Sequence, residues 1–343
     1  VVLDKDRSCE IAVRALGGTY LQMQVGQPTG LQPFQHTPTE ERVAAWINLV
    51  LACLWDATMP FQPVERQHIE NAVRAMSRMP AHLRGMTTIR QNLPTRGPRE
   101  AGNNIWDRIG RWCRGGVHGW VFDGAGSALP PPDQAEIVGI DYTRFLDLPE
   151  IRGPVMLALL QYFADVIGDG RRLMAFIVEF WRAVQDSHIA AFAEDAVRTI
   201  RKKGGLLAYD TQTPGEVLGS AIGPALASQT STLLLLPDTH PRREHYIEGL
   251  GLNEQQFNLL ANLHHRGGHR FLVVQGDQSA VCQFDLSDMQ HHLAVLSADT
   301  EKLAALDRAR AECGDDPKRW LPRLRELVLG VQQPHAARLR RAA

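Results

Sequence analysis

Three polar side chains in this 343-residue sequence stand where phosphate chemistry would use them. Leu173–Val178 is a short apolar run, read as a buried strand, and Glu179 follows it directly. In open α/β sheets, ligands bind beyond the carboxyl ends of the strands. A carboxylate there can orient or deprotonate an attacking water. A charge at a strand exit is also ordinary solvation, so Glu179 alone decides nothing. The following strand, Leu206–Asp210, runs into Thr211-Gln212-Thr213-Pro214. If the two strands are neighbours, the Gln212 amide lies beside Glu179 and can sense a γ-phosphate or hold a water. Arg201, in Arg201-Lys202-Lys203, ends the helix before that strand. It lies toward the opposite edge of the sheet, out of reach of its own site but available to that of a ring neighbour. A solvated helix C-terminus, favoured by the helix dipole, accounts for the same three cations.

Other constellations carry less. His264-His265 with His269 offers close imidazoles, but Arg266 and two glycines intervene and no acidic ligand accompanies them, so a polar loop is preferred to a metal site. We assign no metal-ligating residue. Arg270 opens a strand and could reach a nucleotide or a neighbour; a surface ion pair is the simpler reading, and Arg242-Arg243 is balanced in the same way. No GxxxxGK[ST] phosphate loop occurs, and Gly26–Gly30 and Gly124–Gly126 lack the lysine one needs.

Elements able to position these residues can be read from the apolar pattern. Val1–Leu3 is strand-like, and a helix from about Cys9 to Leu16 stops at Gly17-Gly18. Gly26–Pro38 reads as loop. Thr39-Glu40-Glu41 opens a long helix, and Val64–Met79 and Ala101–Arg114 add amphipathic helices. Trp120–Asp123 and Ile137–Asp141 read as short strands, followed by a helix over about Ile151–Ile167. Strands Leu173–Val178, Leu206–Asp210, Thr232–Leu236 and Arg270–Gln275 alternate with helices at Ile189–Lys203 and Asn253–His264. Short apolar strands between longer helices imply a covered, largely parallel sheet. The expected fold class is therefore α/β, with a helical insertion and a helical C-terminus.

The bulk numbers agree with an ordinary globular chain: 44% hydrophobic, 22% charged and a net charge of −1, which names no partner. The five cysteines are scattered, odd in number and lack a CxxC pair, which reads as a reduced, cytosolic protein with buried thiols. No apolar run approaches the roughly 18 residues needed to span a bilayer. The first residue is Val and is already strand-like, so we read the chain as cut from a longer polypeptide.

Several segments together resemble one family. Asp4-Lys5-Asp6-Arg7, Arg14–Tyr20, Gly26–Gly30, Glu179–Ala183, Thr199–Lys202, Thr211–Pro214, Tyr246–Leu252 and Leu293–Ser297 are similar, in order, to the type IV secretion (conjugal-transfer) ATPases. The resemblance covers nearly all of residues 1–330. It implies a RecA-like P-loop NTPase core over 1–38 and 116–285, a helical insertion over 39–115 and a helical C-terminal region over 286–343. It also implies ATP and Mg²⁺ as cofactors, a homo-hexamer hydrolysing ATP at subunit boundaries, and channel and pilus subunits as partners. The implied location is peripheral, at the cytoplasmic face of the bacterial inner membrane. By the same resemblance, Glu179 matches the catalytic carboxylate and Gln212 the γ-phosphate-sensing amide; we assign Asp4, Lys5, Asp6 and Arg270 as candidate nucleotide-binding residues. Related conjugative coupling ATPases carry an arginine eleven positions before their sensing glutamine, which is Arg201 here. Two departures stand out. The phosphate loop that the family places before its Val1–Leu3 strand is missing, so this chain alone is expected to be inactive. Val178 stands where the family usually has Asp, which puts Mg²⁺ handling in doubt.

Residues 66–114 hold ten arginines against Glu70, Glu100 and Asp107. With Trp106 and Trp112 interleaved, this surface could meet nucleic acid; acidic partner proteins or solvated helix faces are the weightier readings. Residues 277–316 lean acidic, and opposite local charges suit subunit assembly. Two rivals stay open: a DNA-translocating coupling ATPase of the same superfamily, and a catalytically silent assembly subunit.

Overall fold

The computed structural model describes residues 1–343 except 101, 125–128, 132, 133, 135, 168, 169, 184–186, 264–268, 290, 291, 294–296 and 341–343. It forms two compact units, Val1–Val178 with Arg182–Tyr209, and Glu179–Trp181 with Asp210–Ala343.

The first unit is built on a five-stranded sheet. Its strands are β1 (Val2–Asp4), β2 (Thr19–Gln22), β3 (Val138–Asp141), β4 (Met174–Ile177) and β5 (Leu206–Tyr209), in the order β2-β3-β1-β4-β5. Every pairing is parallel. The sequence reading missed β2, which pairs with β3 through Thr19↔Val138 to Gln22↔Asp141. The central strands bury Leu3, Ile140, Ala175 and Ile177. Gly139 matters here for its small size. A Cβ on it would lie 2.5 Å from Tyr20 Cδ2 and 3.1 Å from Val13 Cγ2. Gly139→Ala is therefore expected to destabilise the protein by about 1–3 kcal/mol through overpacking, read as a lower urea midpoint.

Helices flank this sheet. α1 (Glu10–Ala15) links β1 to β2. α2 (Glu40–Cys53) starts where expected, because the Thr39 side chain accepts from the Arg42 N–H and caps the first turn. α3 (Pro63–Ser77), α4 (Met86–Gln91) and α5 (Ile105–Gly110) complete the helical insertion. α2 also packs on a long helix between β3 and β4, so the insertion shares the unit's core. Arg42 donates to both carboxylate oxygens of Asp165, at 2.9–3.2 Å, across that contact.

Of Trp120–Asp123, read above as a strand, Trp120–Phe122 lie instead in a helical turn, α6 (Gly119–Phe122), which Asp123 ends. A run this short has no period to separate helix from strand. A Cβ on Gly119 would sit 2.1 Å from the Cys113 carbonyl oxygen, so the chain winds tightly here. Next come α7 (Thr143–Leu146), α8 (Pro149–Ile167), α9 (Phe180–Ala183) and α10 (Ser187–Lys202). α8 is the helix that receives α2, and it is apolar almost all round, as a helix clasped by α2 and α10 must be.

The largely parallel sheet expected above is that of the first unit; the second unit has its own three-stranded sheet, so the strands read at Thr232–Leu236 and Arg270–Gln275 lie outside the parallel one. β6 (Leu233–Leu235), β7 (Arg270–Gln275) and β8 (Gln278–Gln283) are antiparallel. β7 and β8 are joined by a two-residue hairpin, Gly276-Asp277, with Gly276 at φ +56°, the left-handed conformation that such turns need. α11 (Pro214–Leu218), α12 (Gly223–Gln229), a π-helical turn at Glu244–Gly249 and α13 (Glu254–Ala261) belong to this unit. Tyr246, Leu252, Phe257, Leu260, Leu272 and Val274 form a core beside the sheet. α14 (Thr300–Cys313) and α15 (Pro317–Arg340) pack as a hairpin, the helical C-terminus expected above. None of the five cysteines is in a disulfide, and Cys53 and Cys113 are buried. Among the described residues, no helix is long and apolar enough to cross a membrane.

Candidate functional site

Glu179 follows β4 and is 8% exposed. The strand that delivers it is well anchored: the Val178 N–H donates to the Leu3 carbonyl at 3.0 Å. The Tyr142 hydroxyl donates to the Val178 carbonyl. Glu179 itself sits at φ +53°. This left-handed conformation costs a non-glycine residue about 1–2 kcal/mol. Such strain persists only where surrounding bonds hold it. Here the Glu179 N–H donates to Asp210 Oδ1 at 2.9 Å.

Because β4 and β5 are parallel and in register from Met174↔Leu206 to Ile177↔Tyr209, both exits open on the same sheet edge. Gln212 leaves β5 by this edge, and its Nε2 lies 3.5 Å from Glu179 Oε1, the outer limit of a hydrogen bond. Thr211 Oγ1 donates to the Thr213 carbonyl at 2.9 Å and shapes the turn carrying that amide. Gln212 is exposed while Glu179 is buried. The pair thus offers a shielded carboxylate and an open amide within one water's reach of each other.

The β1 exit is organised differently. Asp4 is fully buried, and its carboxylate accepts from Ser8 Oγ at 2.5 Å, the Cys9 N–H at 2.8 Å and the Tyr20 hydroxyl at 2.5 Å. Burial, with Asp4 next to it, drives the Tyr20 hydroxyl far above its ordinary titration range. Asp6 and Arg7 both take φ +57°. The Asp6 N–H donates to Thr143 Oγ1 at 2.6 Å, and that hydroxyl donates to Asp141 Oδ1 at 2.5 Å. Burial raises the Asp141 carboxyl, although Thr143 works against it. Lys5 reaches Asp6 at 3.7 Å. Asp4 therefore spends its oxygens on holding the loop, whereas Asp6 is the exposed member of this segment and Lys5 and Arg7 are half-buried.

Sequence reasoning missed Glu10. It is fully buried and accepts from Arg7 at 2.5 Å, Arg14 at 2.7 Å and Gln22 at 2.9 Å. The i,i+4 spacing of Glu10 and Arg14 was the available signal. Asp210 was also passed over, read only as the end of its strand.

Arg201 lies in the last turn of α10, before β5, and is exposed. Arg270 begins β7 in the second unit, where its Nε donates to Gln283 Oε1 at 3.4 Å. Among the described residues, no group of three His, Cys, Asp or Glu side chains is placed to hold a metal. His264 and His265 lie outside the described residues, as do residues 294–296 of the Leu293–Ser297 motif and parts of the Gly124–Gly126 and Pro130–Pro132 segments.

Several arginines of the helical insertion have partners within the fold, although Arg66, Arg74, Arg78, Arg96, Arg111 and Arg114 stay exposed. Arg99 pairs with buried Glu65 at 2.7 Å, Arg74 with Glu40 at 3.1 Å and Arg111 with Glu150 at 2.7 Å. Arg84 donates to the Met79 and His36 carbonyls, and Arg90 stacks 3.7 Å over the Trp106 ring. Arg108 lies over Phe61, and burial lowers its pKa.

Comparison with known proteins fits this geometry. The chain is 35% identical over 323 residues to the type IV secretion system protein VirB4 of Bartonella henselae, covering 94% of this chain and 40% of that protein. It is 36% identical over 329 residues to the type IV secretion system protein PtlC of Bordetella pertussis, covering 94% of this chain and 39% of that protein. The chain is homologous to the VirB4-type proteins of type IV secretion systems. It spans about 40% of the length of these relatives. The solved structure of VirB4 of Thermoanaerobacter pseudethanolicus superposes with a TM-score of 0.64 at 17% identity, covering 83% of this chain and 80% of that one. The fold is therefore that of VirB4, a RecA-like core, as the sequence motifs implied. No protein-family model matches the sequence.

Proposed function

We propose that this VirB4-type chain is the motor portion of an ATPase that energises type IV secretion or conjugal transfer. The observation that carries this reading is the meeting of Glu179 and Gln212 at the exits of two neighbouring parallel strands. In phosphoryl transfer to water, catalysis is mostly positioning and electrostatics. The Glu179 carboxylate takes or orients the water's proton, and the Gln212 amide holds the water or the γ-phosphate oxygen. ATP with Mg²⁺ supplies the phosphoryl group and neutralises its charge. Residues 1–343 provide the carboxylate and amide but no lysine-bearing phosphate loop, and Val178 brings no oxygen to a metal's water shell.

The working form in this reading is a homo-hexamer at the cytoplasmic face of the inner membrane, docked on channel and pilus subunits. A DNA-translocating role is less favoured. Arg74, Arg99 and Arg111 pair with Glu40, Glu65 and Glu150, which lowers the charge this surface offers a phosphate backbone.

The first test compares two proteins. Residues 1–343 alone should show negligible ATP hydrolysis, for want of the backbone donors and lysine that cradle phosphates. A chain extended upstream with the matching segment of a VirB4 relative should hydrolyse ATP with Mg²⁺ present. Steady-state phosphate release measures both. No turnover by an extended, folded chain that binds ATP would overturn the proposal, whereas clear turnover by 1–343 alone would overturn only the expectation that it is inactive by itself.

A further inference from the structure

We infer that Asp210 is a positioning residue that locks Glu179 in its left-handed conformation. The inference rests on the reading of Glu179 as the catalytic carboxylate. The peptide group between Val178 and Glu179 is bonded at both ends. Its carbonyl accepts from the Tyr142 hydroxyl, and its N–H donates to Asp210 Oδ1 at 2.9 Å. These bonds orient the peptide plane that precedes the Glu179 Cα, where φ is +53°. Freed of the bond to Asp210, a non-glycine residue relaxes toward negative φ, and rotation about N–Cα swings the carboxylate away from Gln212. Asp210 has no contact of its own with the reacting water in this scheme. It acts through the backbone, and its acceptor oxygen is the part that matters.

Two nearby amides, one in β4 and one just after it, serve as internal controls. Phe176 N–H donates to the Val1 carbonyl at 2.9 Å and Val178 N–H to the Leu3 carbonyl at 3.0 Å, neither involving Asp210. In residues 1–343, amide hydrogen exchange resolved at single residues should show the Glu179 amide exchanging about tenfold faster in Asp210→Ala, the loss expected for one hydrogen bond to a charged group. The Phe176 and Val178 amides should stay protected. Asp210→Asn keeps an acceptor oxygen and should restore most of the protection. If all three amides lose protection together, Asp210 merely supports the fold, and the inference is overturned. If the Glu179 amide is unchanged in Asp210→Ala, there is no lock, and it is overturned equally.

The catalytic consequence is read in the extended chain. Asp210→Ala should lower kcat by about 10- to 100-fold, as expected of a small misplacement of a reacting group. The KM for ATP should stay the same, and Asp210→Asn should recover most of kcat. Glu179→Gln separates the two ideas. If it abolishes turnover while Asp210→Ala does not change kcat, the positioning role fails. If Glu179→Gln itself keeps full turnover, the reading of Glu179 fails, and with it any role for Asp210 in catalysis.

Discussion

Glu179→Gln, in a chain extended upstream by the matching VirB4-type segment, should lower ATP turnover by about 10²–10⁴-fold, the usual weight of a positioned acid–base group. ATP affinity should change little if, as proposed, the carboxylate acts on the attacking water and not on the phosphates. In kinetic terms, kcat and kcat/KM should fall together, the mark of an interaction made in the transition state. The substitution keeps shape and the contact with Gln212 but removes the charge that draws a proton from water. Its structural cost should be small, since the Glu179 backbone keeps its bond to Asp210 and the Val178 carbonyl its bond from Tyr142. Phosphate-release kinetics and equilibrium titration with a fluorescent nucleotide measure the two quantities separately. Equal loss of binding and turnover would mean that Glu179 holds the nucleotide and does not activate water. Unchanged turnover would mean that another carboxylate does the work. Asp6, left at the surface of its loop, is then a better candidate than Asp4, whose oxygens are taken by Ser8, Cys9 and Tyr20.

Residues near in sequence were read well, and those joined over long separations were not. The apolar run before Glu179 and the run before Thr211-Gln212 were each visible as strands, and their parallel pairing follows from the helix between them. The left-handed twist at Glu179 was not visible, because it depends on Tyr142 and Asp210, 36 and 31 residues from the groups they bond. The basic insertion shows the same limit. Counting ten arginines suggested an electropositive face, yet Arg99 meets Glu65 and Arg74 meets Glu40 across 34 residues each. Composition reports charge but not its partner. The antiparallel β6–β7–β8 sheet is a different case. Gly276-Asp277 between apolar runs is a hairpin signal, and weighing it would have split the two sheets from sequence. Trp120–Phe122 held no such signal.

Arg201→Ala should abolish turnover in the assembled, extended protein while leaving ATP binding intact. Arg201 ends α10 ahead of β5, whereas Gln212 follows that strand's other end. A strand of four residues at about 3.3 Å each spans roughly 13 Å before its end turns are added. A single arginine does not bridge that span back to its own site. In a ring, a neighbour's site can approach this opposite edge, and a guanidinium delivered in trans stabilises charge on the transferring phosphoryl group. Arginine fingers are worth about 10³–10⁵ in rate, which makes this the largest single effect expected for any side chain named here. The decisive experiment mixes two dead proteins. Arg201→Ala lacks the finger and Glu179→Gln lacks the carboxylate. A mixed ring contains interfaces where an intact Glu179 in one subunit faces an intact Arg201 from its neighbour. Activity should therefore reappear on mixing and scale with the fraction of such interfaces. If the helix end is only solvated, Arg201→Ala will hydrolyse ATP at close to the unmodified rate. If Arg201→Ala is dead and mixing restores nothing, Arg201 acts within its own subunit or supports the α10–β5 turn. Arg201→Lys separates the last two outcomes. It keeps the charge and the helix-dipole contact, so a structural role survives it, but it loses the planar fork that grips phosphate oxygens.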